Sequence, residues 1–124
     1  MTDGGSGPID RAAFANLVEM TGGDVPFVDE LVDTYVEEGH SLIARLRTAA
    51  TDGSTDELMR AAHSLKSSSM NVGALALGEE CRLLEAEARG GSVADAASQV
   101  ASIAAGFEEA AGALLAQRES RPAP

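Results

Sequence analysis

Apolar residues recur along the chain at spacings of three and four, in five runs separated by glycine-bearing breaks. That period marks helices with one buried face. The first run spans about Asp10 to Met20, with Phe14, Leu17 and Val18 on one side. Asp10 is placed as its N-cap, and Ile9 before it as half of a hydrophobic staple. Thr21-Gly22-Gly23 breaks the run, and Asp24 caps a second, longer helix. Pro26 falls in the first turn of that helix, where a missing N–H does no harm. Phe27, Leu31, Tyr35, Leu42 and Leu46 follow one stripe, widened by Val28, Val32, Val36 and Ile43, and Asp52-Gly53 stops it.

Ser54 followed three residues later by Glu57 is a capping box, opening a third helix that runs to about Val72. Gly73-Ala74 interrupts. Leu75 to Arg89 makes a fourth helix with Leu77, Cys81, Leu84 and Ala88 along one face. Its glutamates at 79, 80, 85 and 87 read as a solvated side. Gly90-Gly91 ends it, and Ser92 is expected to cap a last, alanine-rich helix reaching about Gln117. Val93, Val100, Ile103, Phe107, Leu114 and Leu115 are the larger apolar residues of that helix.

Nothing alternates with period two for long enough to make a sheet. Amphipathic helices joined by short turns predict an all-α fold, an antiparallel up-down four-helix bundle with an additional short N-terminal helix. One domain covers residues 9–118. Gly- and Ser-rich residues 1–8 are expected to form a disordered lead and residues 119–124 a flexible tail.

Composition supports helix. Hydrophobic residues make up 44% of the 124, but aromatic residues only 3%, with no Trp, so Leu, Val, Ala and Met must fill the core. Twenty acidic against nine basic residues give a net charge of −11. A phosphate backbone is repelled by that field, which argues against nucleic acid as a partner. The single cysteine, Cys81, cannot form an internal disulfide, and this fits a reducing compartment. No apolar run approaches the ~18–20 residues of a membrane span, and the first residues lack the basic start and apolar stretch of a signal peptide. The expected location is the cytoplasm. No glycine-rich nucleotide-binding pattern is present, so no kinase activity is expected of the chain itself.

The third helix carries the chain's most unusual local sequence, Arg60 to Ala74. Leu58, Ala61 or Ala62, Leu65 and Val72 mark its apolar side, with Ser68 and Ser69 filling the gap. Met59, Arg60, His63, Lys66, Ser67 and Met70 fall opposite. His63 therefore points toward water, with Lys66 and Arg60 each a turn away. A neutral imidazole is a nucleophile near physiological pH, and flanking cations can neutralise phosphate oxygens held on it. A solvent-facing histidine near a lysine and an arginine is also common on helices that do nothing. Geometry alone leaves both readings open. His40, without a cation one turn off, reads as a surface residue, and Cys81 as a small buried hydrophobe. The two histidines lie far apart in sequence, which gives a metal site little support.

The stretch His63-Ser64-Leu65-Lys66-Ser67-Ser68-Ser69, followed by Val72-Gly73-Ala74, resembles the signature of histidine-containing phosphotransfer (HPt) domains. Gly22-Gly23-Asp24 ahead of Phe27 and Leu31 looks like that family's second-helix entry. Gly73-Ala74 followed by Leu77, Cys81, Leu84 and Glu85 looks like its fourth helix. The similarity covers about residues 10–115. One departure is Ser67, where the family commonly has glycine four residues after the histidine; the change bears on rate, not on role.

The resemblance implies a phosphorelay intermediate. His63 would accept a phosphoryl group, by analogy on Nε2, from the phospho-aspartate of one receiver domain and give it to an aspartate of another. Lys66 would act as charge partner to the phosphoryl group. Met59, Arg60, Ser67 and Met70 would form the docking surface, with Phe14, Leu17 or Val18 near its rim only if they are not buried. Partners would be receiver domains of response regulators or hybrid histidine kinases. No cofactor is expected on this chain, Mg2+ belonging to the receiver. A monomer is expected, and the start at Met1 and the Pro-containing end fit a module that stands alone. The competing readings are an adaptor bundle whose His63 is never modified, and the histidine-bearing segment of a chemotaxis-type kinase, which longer chains with ATP-binding domains would supply.

Overall fold

The structure, a computed structural model, describes residues 7–119, so the expected lead up to residue 6 and the expected tail from residue 120 lie outside it. The described residues form five helices and no strand: α1 (Arg11–Met20), α2 (Val25–Asp52), α3 (Thr55–Val72), α4 (Leu75–Arg89) and α5 (Ala96–Glu119). The fold is all-α.

Local chemistry sets the helix ends. Asp10 accepts from the Ala13 N–H at 2.9 Å and Asp24 from the Phe27 N–H at 3.1 Å, each satisfying a donor the helix leaves unpaired. Ser54 does the same for Glu57 at 3.3 Å. The capping box is only half made, because the Glu57 carboxylate instead takes the Arg45 guanidinium at 2.9 and 3.1 Å. Gly53 and Gly73 close α2 and α3 in the left-handed conformation, at φ 69° and 90°.

The start of α5 differs from expectation. Ser92 lies outside the helix, and the cap is Asp95, which accepts from the Ser98 N–H at 3.3 Å. Glu87 of α4 explains the delay. Its carboxylate accepts from the Gln99 side chain at 2.7 Å and from the Ala94 N–H at 3.5 Å, which holds residues 92–95 as a loop against the end of α4.

Short links at 53–54 and 73–74 turn the chain back on itself, so consecutive helices run antiparallel. α3 packs between α2 and α4, α5 closes the ring against α4 and α2, and α1 lies across α3. Backbone bonding fastens α1 there, with the Asp10 N–H donating to Gly73 O at 2.7 Å. Leu46, Leu58, Leu65, Leu84, Ile103, Phe107 and Leu114 are fully buried at the centre. Gly39 of α2 makes space for Phe107, since a Cβ there would strike its ring. Phe27 leaves the expected stripe. It sits in the first turn of α2, beyond the core, and is exposed. His40 is exposed as expected, with Nε2 3.3 Å from Glu108 and its ring edge-on to Phe107.

Ser69 answers the gap in the apolar side of α3. Its hydroxyl and that of Tyr35 on α2 share a buried hydrogen bond of 2.9 Å. Burial pushes the Tyr35 phenol up to about 12 against the opposing effect of that bond. Removing either partner strands a buried hydroxyl. Tyr35→Phe and Ser69→Ala are therefore each expected to lose about 1–3 kcal/mol, and the double variant less than the sum. Urea unfolding of the four proteins measures this, and strictly additive losses would show no coupling between the two. Cys81 is also fully buried, its thiol pushed up to about 12 by burial, helped by the Glu80 and Glu85 charges and opposed by Lys66.

Candidate functional site

α3 separates its two faces cleanly. Leu58, Ala61, Ala62, Leu65, Ser69 and Val72 are buried, which turns residue 63, near mid-helix, outward. The His63 side chain is 58% exposed. Its Nδ1 lies 2.8 Å from Glu85 Oε2 on α4. The same oxygen accepts from Arg89 at 2.8 Å, and Lys66 Nζ sits 2.8 Å from Oε1. That ammonium is Oε1's ion-pair partner.

Glu85 is the centre of this cluster, and the solvated side assigned to it is corrected here: only 4% of its side chain is exposed. The cover is thin. It consists largely of the partners themselves, each of which reaches water. Burial pushes the carboxyl up, but hydrogen bonds from Lys66, His63 and Arg89 outweigh this and hold it at about 2. An ionised carboxylate can only accept. In the neutral imidazole the proton must therefore reside on Nδ1, and the lone pair on Nε2.

The structure brings His63 and Lys66 together through Glu85, which sequence reasoning placed on the wrong face. A signal existed. Glu85 lies four residues after Cys81 and three before Ala88, on the buried stripe of α4. Arg89, also missed, follows it by one turn. The remaining residues fall around the site in different ways. Arg60 turns back along its own helix to Asp56 at 3.2 Å and does not join the cluster. Ser67 is exposed and Met59 half-buried against the core. Met70 is exposed. Phe14 and Leu17 are half-buried against the core. Phe14 and Val18 also line an apolar cleft of about 330 Å³ with Val25, Val28, Val32 and Leu114, which does not include His63.

Among the described residues no three His, Cys, Asp or Glu side chains gather as a metal site, and no helix is long and apolar enough to cross a membrane. The site can hold an imidazole in one tautomer, keep compensated charge beside it, and leave Nε2 open. That suits a nucleophile meeting a large partner.

Comparison with known proteins follows the same lines. The crystal structure of histidine-containing phosphotransfer protein B (HptB) from Pseudomonas aeruginosa PAO1 is similar to the chain with a TM-score of 0.84. The two share 26% sequence identity over 94% of this chain and 99% of that one. Comparison with curated protein sequences gave no match. The family model of the Hpt domain matches residues 30–117, which takes in all of α3 and α4 and most of α2 and α5. The chain belongs to the Hpt domain family and has a histidine phosphotransfer role of the kind that serves phosphorelays.

Proposed function

We propose that the chain is a phosphocarrier in which His63 Nε2 accepts a phosphoryl group from the phospho-aspartate of one receiver domain and passes it to an aspartate of another. The observation that carries this reading is the exposed imidazole held through Nδ1 by a buried, ionised Glu85. In the forward step the Nε2 lone pair forms the N–P bond as the acyl-phosphate P–O bond breaks, and the receiver carboxylate departs with the electron pair. No proton has to leave Nε2. The ring becomes more positive as the bond forms, and Glu85 opposite Nδ1 stabilises that charge. The return step runs the same course backward, which suits a carrier. In-line approach and charge neutralisation are the main demands of such transfer, so a sparse site suffices, with Mg2+ supplied on the receiver.

Lys66 acts in two ways. Its ammonium clamps Glu85 at Oε1 and places a positive charge one turn from His63, where phosphoryl oxygens will lie. Met59, Ser67 and Met70 form the ground on which the receiver rests. The carrier works as a cytoplasmic monomer and makes no phosphoryl donor of its own.

The test is transfer of label from receiver domains of the same genome, phosphorylated in advance. An acid-labile, alkali-stable label on this chain is the expected result. Receiver binding without label would replace the carrier reading with that of an adaptor.

A further inference from the structure

One glycine of α4 has no backbone reason to be there. Gly78 is buried, and positive φ occurs at other glycines but not at this one. A glycine inside a helix is unfavourable relative to alanine, because it leaves more freedom in the unfolded chain. What Gly78 accommodates is Met70 of α3. A Cβ at position 78 would lie 2.8 Å from Met70 Cε, 2.9 Å from Sδ and 3.0 Å from Cγ. Most of the thioether chain therefore lies flat across α4, with Met70 still 37% exposed on its outer side.

The position of this contact matters. His63, Ser67 and Met70 follow one another at spacings of four and three, so they share a face of α3. From His63 toward the end of α3 the surface is thus level: a small serine, then a methionine lying on its side. Charge marks the same face. In a chain of net charge −11, Lys66 and Arg89 both meet the Glu85 carboxylate that holds His63, so two cations share one anion beside the imidazole that an acyl phosphate would approach.

We propose that Gly78 is a specificity-determining residue that keeps Met70 flat, so that a receiver domain can settle over Ser67 and Met70 and bring its phospho-aspartate to His63. The inference rests on the phosphocarrier reading. An added methyl at 78 would not break the fold, because what it meets is a flexible side chain. Met70 would swing outward instead and raise a knob about two turns from the imidazole. A small phosphoryl donor reaches Nε2 without crossing that ground, whereas a receiver must cover it.

Wild type, Gly78→Ala, Met70→Ala and Gly78→Ala/Met70→Ala are compared with two donors: phosphoramidate, and whichever phosphorylated receiver domain of the same genome labels wild type fastest. Gly78→Ala is expected to melt at or above the wild-type temperature and to label from phosphoramidate. Its uptake from the receiver should fall about tenfold, whereas in the Met70→Ala background, where no methionine is left to displace, the same change should cost little further. Unchanged receiver-driven uptake, equal losses from both donors, or a loss in the Met70→Ala background as large as in wild type would each overturn the proposal and leave the carrier reading standing. Wild type that no receiver labels would remove both.

Discussion

His63→Gln is expected to take no phosphoryl group from a phosphorylated receiver, and still to fold. Loss of uptake is complete because no other side chain in the site offers a neutral nitrogen nucleophile. The stability change is small but not zero. An exposed residue usually matters little to folding, yet His63 supplies one of three bonds to a buried carboxylate. Losing it should lower stability by about 1 kcal/mol. Label uptake and a urea melt on the same preparation measure both. A His63→Gln protein that labels as wild type does would place the phosphoryl group elsewhere.

Glu85→Gln should slow uptake by about 10–10²-fold. The figure follows from the bond it weakens. A hydrogen bond to a charged group contributes about 1.5–3 kcal/mol, each 1.36 kcal/mol is worth about tenfold in rate, and the ring's positive charge grows as the N–P bond forms. The same substitution should alter acid stability. Glu85 loses its proton near 4.5 in the ordinary case and near 2 in the folded chain. The stabilisation is therefore fully present above about 4.5, declines as the pH falls, and is gone below about 2. Urea midpoints taken from pH 5 down to pH 2 should fall more steeply for wild type than for Glu85→Gln. Superimposed acid limbs would mean that the carboxyl is not held low by its three partners.

Much of this fold can be read directly from residue types. The apolar stripes of α3 and α4 begin and end where Ser54, Gly73, Ala74 and Arg89 indicate. At α3 this is a local matter of the Ser54 cap and the left-handed turn at Gly73, whereas α4 starts without a side-chain cap and ends at a right-handed Gly90. The start of α5 was not legible. Ser92 is a good cap in isolation, and only the folded chain brings Glu87 against Ala94 and Gln99 and shifts the role to Asp95. Glu85 shows the same limit at the site. A glutamate among Glu79, Glu80 and Glu87 reads as solvated by type, and burying it is acceptable only because Lys66 and His63 arrive from another helix. The spacing of His63 and Lys66 put them on one outward face of α3, while their roles came from the resemblance to HPt domains and not from that spacing. Their acidic partner depends on the pairing of two helices.

Cys81 gives the chain a natural clock for its own opening. The thiol is wholly enclosed and its ionisation pushed far above neutrality, so alkylating reagents find almost no thiolate to attack. As the chain's one cysteine, it becomes modifiable only when α4 parts from its neighbours. The rate at which an unaltered sample takes up a thiol reagent then reports how often the bundle breathes, and whether loading of the site around Glu85, one turn along α4, quiets that motion.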